Sequence, residues 1–194
     1  MSLKSERARQ VGTASIILIA LVVGINIGSK KLDRWMEQNI QTQTHAQHDT
    51  LIETCFTPQQ KCLPRVVRAI EKAQTTIYVR MFAFTSKEVA DALIRAHQRG
   101  VRVVVLCDRG QARQVASQTQ RLKEQGILVN TETVRGYAHN KVMIIDGRIV
   151  LTGSYNYTAG AEHRNAENLL IIQDLGVVDR YLKDFQQALR LKQE

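Results

Sequence analysis

The sequence predicts an α/β layer domain over residues 50–194, behind one hydrophobic N-terminal helix within residues 1–31 and a polar tether over 32–49. Three observations carry this. From Thr50 onward, short apolar runs alternate with amphipathic stretches, as strands and helices do in a layered fold. Asp146-Gly147 stands between two apolar runs, a strong hairpin signal. Val11 to Gly28 is 18 residues without a charge. At 194 residues, 44% hydrophobic and 23% charged, the chain has material for one real core. That composition excludes a disordered tail, a fibre or a disulfide-dominated scaffold.

Taken in order, the apolar N-terminal run would make a helix of about 27 Å against a hydrocarbon core of about 30 Å, just enough to span. A basic flank precedes it, as in a secretory signal, but no A-x-A cleavage pattern follows. The readings are an uncleaved anchor, a removed signal or a buried soluble helix. Lys4, Arg7 and Arg9 on one side face Lys30, Lys31 and Arg34 on the other, so charge does not orient the segment. No cysteine occurs before Cys55, which excludes a lipid-modified cysteine directly after the run. Residues 32–49 are rich in Gln, Thr and His and read as a spacer.

In the body, Leu51 to Phe56 is a first strand, and a helix from about Gln60 to Ala73 follows with Pro64 in its first turns. Thr76 to Phe84 is the second strand. Ser86 caps a helix with Val89, Ala90, Leu93 and Ile94 on its apolar face, and Gly100 ends it before the strand Val101 to Leu106. A helix from Gln111 to Gln125 precedes a strand at Ile127 to Asn130. Lys141 to Ile145 and Arg148 to Leu151 flank the hairpin turn, Glu167 to Ile172 is a last strand, and Val177 to Leu191 closes the chain as an amphipathic helix.

The chemistry lies in Tyr137 to Tyr157. His139 and Lys141, two apart on an expected strand, project to one face. An imidazole beside an ammonium suits phosphodiester chemistry: the ring attacks or protonates, and the ammonium neutralises a non-bridging oxygen as phosphorus becomes five-coordinate. Alone, the pair reads as two solvated residues. With Gly153-Ser154-x-Asn156 at a fixed distance downstream, supplying a bare backbone position, a hydroxyl and an amide as phosphate donors, it reads as a site.

His139-x-Lys141-x4-Asp146 followed by Gly153-Ser154-x-Asn156 resembles the HKD motif of the phospholipase D superfamily. Phe56-Thr57-Pro58, the strand end Met81 to Ser86, Asp108, and Asn165-x-Glu167-Asn168 extend the resemblance to the small single-motif bacterial endonucleases of the Nuc type, over about Leu51 to Leu191. The resemblance implies a mixed β-sheet with helices on both faces, and a homodimer that brings two single motifs to one cleft. It implies His139 of one subunit as nucleophile, forming a phosphohistidine, and His139 of the other as acid. A pair with one neutral and one charged imidazole gives a bell-shaped pH-rate profile. Lys141 and Asn156 would bind phosphate with Ser154 in support, and Glu167 would orient the imidazole. Asp146 belongs to the motif, though turn chemistry alone explains much of it. The family mechanism needs no metal or other cofactor, and the body has no compact carboxylate cluster for Mg²⁺.

The net charge is +9, of which residues 1–31 carry +4. A moderately basic body points to phosphate polymers or anionic lipid. Arg80, Arg109, Arg113, Arg135 and Arg164 flank motif segments, and Tyr137, Tyr155 and Tyr157 offer aromatic faces for bases, with packing an equal explanation. Cys55 and Cys62, seven apart, admit a disulfide in an oxidising compartment, two buried thiols, or a zinc site completed by His45 and His48. Cys107 reads as a core residue. The leading expectation is a metal-independent endonuclease acting on DNA or RNA with little sequence specificity. It would be membrane-anchored or exported, in the bacterial periplasm or inner membrane, with its catalytic domain outside the cytoplasm. The alternatives are a hydrolase of membrane phospholipids and a non-catalytic nucleic-acid-binding protein.

Overall fold

The computed structural model describes residues 50–190. The N-terminal apolar run, the tether, His45, His48 and Leu191 lie outside the described residues. Among the described residues no helix is long and apolar enough to cross a membrane.

Seven strands form one mixed sheet. In chain order they are β1 (Leu51–Thr57), β2 (Thr76–Met81), β3 (Arg102–Asp108), β4 (Leu128–Glu132), β5 (Lys141–Ile145), β6 (Ile149–Gly153) and β7 (Glu167–Gln173), in the spatial order β1-β7-β6-β5-β2-β3-β4. β2, β3 and β4 run parallel, and β5, β6, β7 and β1 continue antiparallel. β5 is buried at all five positions, which is why Lys-Val-Met-Ile-Ile reads as a continuous apolar run beyond its first residue. Side chains leave the sheet on both faces. On one, α1 (Leu63–Lys72) and α2 (Lys87–Gln98) bury Val66, Ile70, Val89 and Leu93 against Ile77, Val79, Met143 and Ile145. On the other, α6 (Leu175–Arg190) sets Val178, Phe185 and Ala188 against Val104, Leu106, Val142, Ile144 and Val150. The expected mixed sheet with helices on both faces is the observed one.

The differences lie in local capping. The first helix starts at Leu63 rather than Gln60, because a side chain from far along the chain supplies its cap: Glu162 Oε2 accepts from Cys62 N at 3.2 Å and Leu63 N at 3.0 Å. Glu162 lies on α5 (Ala159–His163), is buried, and also accepts from the Tyr155 hydroxyl at 2.7 Å. Glu162→Ala would strand two buried donors, Cys62 N–H and the Tyr155 hydroxyl, at roughly 1–3 kcal/mol each, and the part-buried Leu63 N–H as well. We expect a stability loss of about 3 kcal/mol or more, read as a lower denaturant midpoint at unchanged slope. Retention of the wild-type midpoint would remove this role.

The helix expected over Gln111 to Gln125 is instead two short pieces, α3 (Arg109–Ala112) and α4 (Thr119–Glu124). Between them the Gln118 N–H donates to Phe84 O at 2.9 Å and the Thr119 hydroxyl donates to Ala112 O at 3.0 Å. These tertiary bonds replace the helical ones. The second strand likewise stops at Met81, because Asn156 Oδ1 accepts the Ala83 N–H at 3.2 Å, and Phe84 keeps only an isolated bridge to Tyr157. Ser86 caps α2 as expected, its Oγ accepting from Val89 N at 3.3 Å.

Cys55 and Cys62 form a disulfide joining β1 to the start of α1, so neither sulfur is a thiolate free for zinc. Cys107 is buried, and burial with the neighbouring Asp108 pushes its thiol up to about 12. It is an unreactive core residue.

Candidate active site

The site forms at the edge of the sheet where β2, β3, β4 and β6 end and β5 and β7 begin. Open α/β sheets bind ligands there because the strand ends leave a crevice lined by loops. Met81 pairs with Lys141 and Gly153 with Leu169, so residues just beyond these pairs come together from distant parts of the chain.

His139 precedes β5 rather than lying on it and is exposed. Its backbone is fixed from both sides. Its N–H donates to Tyr137 O at 2.8 Å, and Lys141 Nζ donates to its carbonyl at 3.2 Å. The residue between Tyr137 and His139, Ala138, is buried, and its N–H donates to Asp108 Oδ2 at 3.1 Å. The other Asp108 oxygen accepts from Gly110 N at 2.9 Å and Gln111 N at 3.0 Å. One buried carboxylate thus ties the end of β3 to the loop that presents the imidazole.

Phe82 is the side wall. Its ring stands 4.5 Å from the His139 ring at 60° and 5.9 Å from the Tyr137 ring at 77°, and Lys141 Nζ lies 5.0 Å over it. A cation over an aromatic face is held by the ring quadrupole. Burial lowers the Lys141 pKa, and the neighbouring Glu167 carboxylate opposes that shift. Among the described residues neither nitrogen of His139 has a hydrogen-bond partner, so the ring is open to a substrate.

Asn156 accepts the Ala83 N–H through Oδ1, which leaves its amide NH₂ as a donor with no partner among the described residues. Ser154 differs from expectation. Its hydroxyl donates to Glu167 Oε2 at 2.5 Å and accepts from Asn168 N at 3.0 Å, so its proton is committed within the turn rather than offered to phosphate. Glu167 is occupied too, taking Asn165 Nδ2 on its other oxygen at 2.9 Å. Within one chain it braces the Ser154 turn and makes no bond to the His139 ring.

Asp146 sits at the opposite end of β5 from Lys141. Asp146 and Gly147 both have positive φ, 53° and 61°, as a two-residue hairpin turn requires. The Asp146 carboxylate accepts from the N–H groups of Gln74, Thr75 and Thr76 at 2.8–2.9 Å and from the Thr75 hydroxyl at 2.9 Å. Partial burial pushes its pKa up, but the bonds from Thr76, Gln74 and Thr75 outweigh that and hold it below the usual range. Its place is structural: it fastens the hairpin to the start of β2.

Of the aromatic and basic candidates, Tyr155 and Tyr157 are fully buried core residues, while Tyr137 is 76% exposed. Arg80 is consumed by Glu132 and Asp184. Arg109, Arg113, Arg135 and Arg164 are exposed around the site end of the sheet, and none is ion-paired among the described residues. No group of three His, Cys, Asp or Glu side chains stands together as metal ligands among those residues. Sequence reasoning gave Phe82 and Asp108 no role. The Asp-x-Gly pattern after an apolar strand is a capping signal for Asp108, whereas Phe82 is marked only as part of the Met81 to Ser86 segment that carries the resemblance.

Residues 66–189 match the family described as "Cardiolipin synthase, PLD-like domain". The chain is 42% identical over 134 residues to a phospholipase D of Rickettsia prowazekii, covering 69% of this chain and 65% of that protein. It is 35% identical over 147 residues to a mitochondrial cardiolipin hydrolase of Xenopus laevis, covering 71% of this chain and 70% of that one. It therefore spans about two thirds of the length of such relatives. Among solved structures, the phospholipase D family member Nuc from Salmonella typhimurium superposes with a TM-score of 0.69 at 28% identity, covering 73% of this chain and 95% of that one. NucT from Helicobacter pylori gives 0.70 at 22% identity, covering 73% and 96%, a likeness of fold.

Proposed function

The chain belongs to the phospholipase D superfamily, and from that premise we propose a phosphodiesterase that cleaves DNA or RNA with little sequence specificity through a phosphohistidine at a homodimer cleft. In this reading a ring nitrogen of His139 attacks phosphorus, the P–O bond breaks, and the departing oxygen takes a proton from the partner's protonated His139. The partner's imidazole, now neutral, then removes a proton from water as that water displaces the histidine. Lys141 and the amide NH₂ of Asn156 bind the non-bridging oxygens. Phe82 and Asp108 hold the imidazole, and Ser154 and Glu167 brace the turn that carries Asn156. The open nitrogens of His139 support the nucleophile, and a single copy of the His-x-Lys motif per chain supports the dimer.

The observation that carries nucleic acid is the rim. Arg109, Arg113, Arg135 and Arg164 are exposed without carboxylate partners among the described residues, as a surface tracking a phosphate backbone requires. The names of the relatives favour a second reading, hydrolysis of membrane phospholipid. We place the catalytic domain outside the cytoplasm on an N-terminal anchor or after export, and the Cys55–Cys62 disulfide supports an oxidising compartment.

The test incubates the detergent-solubilised full chain, in excess EDTA, with single- and double-stranded DNA and RNA and separately with phosphatidylglycerol and cardiolipin vesicles. Cleaved polynucleotide without comparable lipid turnover is expected. Lipid products with intact polynucleotide would replace the first reading with the second, and binding without product would leave a nucleic-acid-binding protein.

A further inference from the structure

Burial reduces the three tyrosines around the motif to one. Tyr155 and Tyr157 are 2% exposed, and Tyr155 spends its hydroxyl on Glu162. Tyr137 is 76% exposed, yet its backbone is anchored: Ala138 beside it is buried with its N–H on Asp108, and the Tyr137 carbonyl accepts from His139 N. Its ring lies 5.9 Å from the Phe82 ring at 77°, and the exposure of the residue leaves most of the ring to solvent. The same Phe82 ring contacts His139 and lies under Lys141 Nζ. Phe82 therefore sets the position of the exposed ring relative to the two groups that would handle the phosphate. Contacts through this one ring keep Tyr137 within a nucleoside's reach of His139. Two residues before Tyr137, Arg135 is exposed and unpaired among the described residues.

We infer that Tyr137, backed by Phe82, is a stacking subsite for an unpaired nucleobase on the nucleotide next to the scissile phosphate. This rests on the nuclease reading above and deepens it to single-stranded substrates. A base in a duplex is already stacked on both sides and reaches an aromatic platform only by unpairing and leaving the helix. An unpaired base stacks on the ring without that unpairing.

The test uses the full chain in detergent with EDTA and two labelled strands, one intact and one with abasic residues flanking a chosen linkage, following cleavage at that linkage. The wild type should cut the intact linkage about tenfold faster or more. Tyr137→Ala should bring the intact-to-abasic ratio close to one, and Tyr137→Phe should keep it, because stacking needs the ring and not the hydroxyl. An unchanged ratio in Tyr137→Ala overturns the subsite. So does equal slowing of both strands, which would make Tyr137 a support for the His139 loop. If the wild type turns over phosphatidylglycerol vesicles and leaves both strands intact, the subsite falls together with the nuclease reading. If it cuts strands without a Tyr137-dependent ratio, the subsite alone falls.

Discussion

His139→Ala should abolish turnover, by about four orders of magnitude or more, while leaving the fold in place. The two halves of that expectation have separate physical grounds. In the proposed mechanism the imidazole forms the covalent bond to phosphorus, and in the proposed homodimer the substitution removes the acid as well, leaving no second route to the leaving oxygen. The fold is indifferent because the residue is exposed and its ring contact among the described residues is with Phe82, while the backbone bonds of residue 139, to Tyr137 O and from Lys141 Nζ, need no particular side chain. Stability should stay within about 0.5 kcal/mol of wild type. The check compares cleavage rates and denaturant midpoints side by side, with rapid quenching at alkaline pH and intact-mass analysis to trap a phosphorylated wild-type protein. Residual activity within a factor of ten of wild type in a folded His139→Ala protein would end the phosphohistidine reading for any substrate, lipid included.

The sheet was legible because its signals are local. A five-residue apolar run reads as a central strand, Asp146-Gly147 as a turn, and Ser86 before Val89 as a cap, whatever lies elsewhere in the chain. His139, Lys141 and Asn156, the residues proposed to act on the phosphate, stand out in the sequence for a different reason: their residue types and spacing suggest a chemistry. What local sequence could not supply were bonds made across the chain. The start of α1 depends on Glu162, about a hundred residues later. The end of β2 depends on Asn156, and the break between α3 and α4 on the Phe84 carbonyl. Periodicity carries no term for such partners. Ser154 and Glu167 show the same limit within the site. The Ser154 hydroxyl suggested a phosphate donor and the resemblance implied Glu167 as the carboxylate for the imidazole, and within one chain the two bond each other.

Gly153→Ala should cost about 3 kcal/mol or more and take most of the activity with it. Gly153 ends β6 at a φ of +141°, a conformation that residues with a side chain rarely adopt. A Cβ there would stand 2.3 Å from the backbone oxygen of Asn168 and 2.6 Å from its Oδ1. The side-chain contact can move aside, but the backbone contact cannot, because Asn168 O accepts the N–H groups of Ser154 and Tyr155 at 3.1 and 3.2 Å. Relieving the clash means parting β6 from β7 where Ser154 bonds Glu167 and the chain turns toward Asn156. Stability and phosphate binding should therefore fall together, seen as a lower denaturant midpoint and, in the fraction still folded, a raised KM. A second variant isolates the cause. Adding Asn168→Ala to Gly153→Ala clears Oδ1 and leaves the backbone oxygen, so it should recover none of the lost stability. Full recovery would show that the side chain set the constraint, and a wild-type midpoint in Gly153→Ala alone would show that the strand pair gives way without cost.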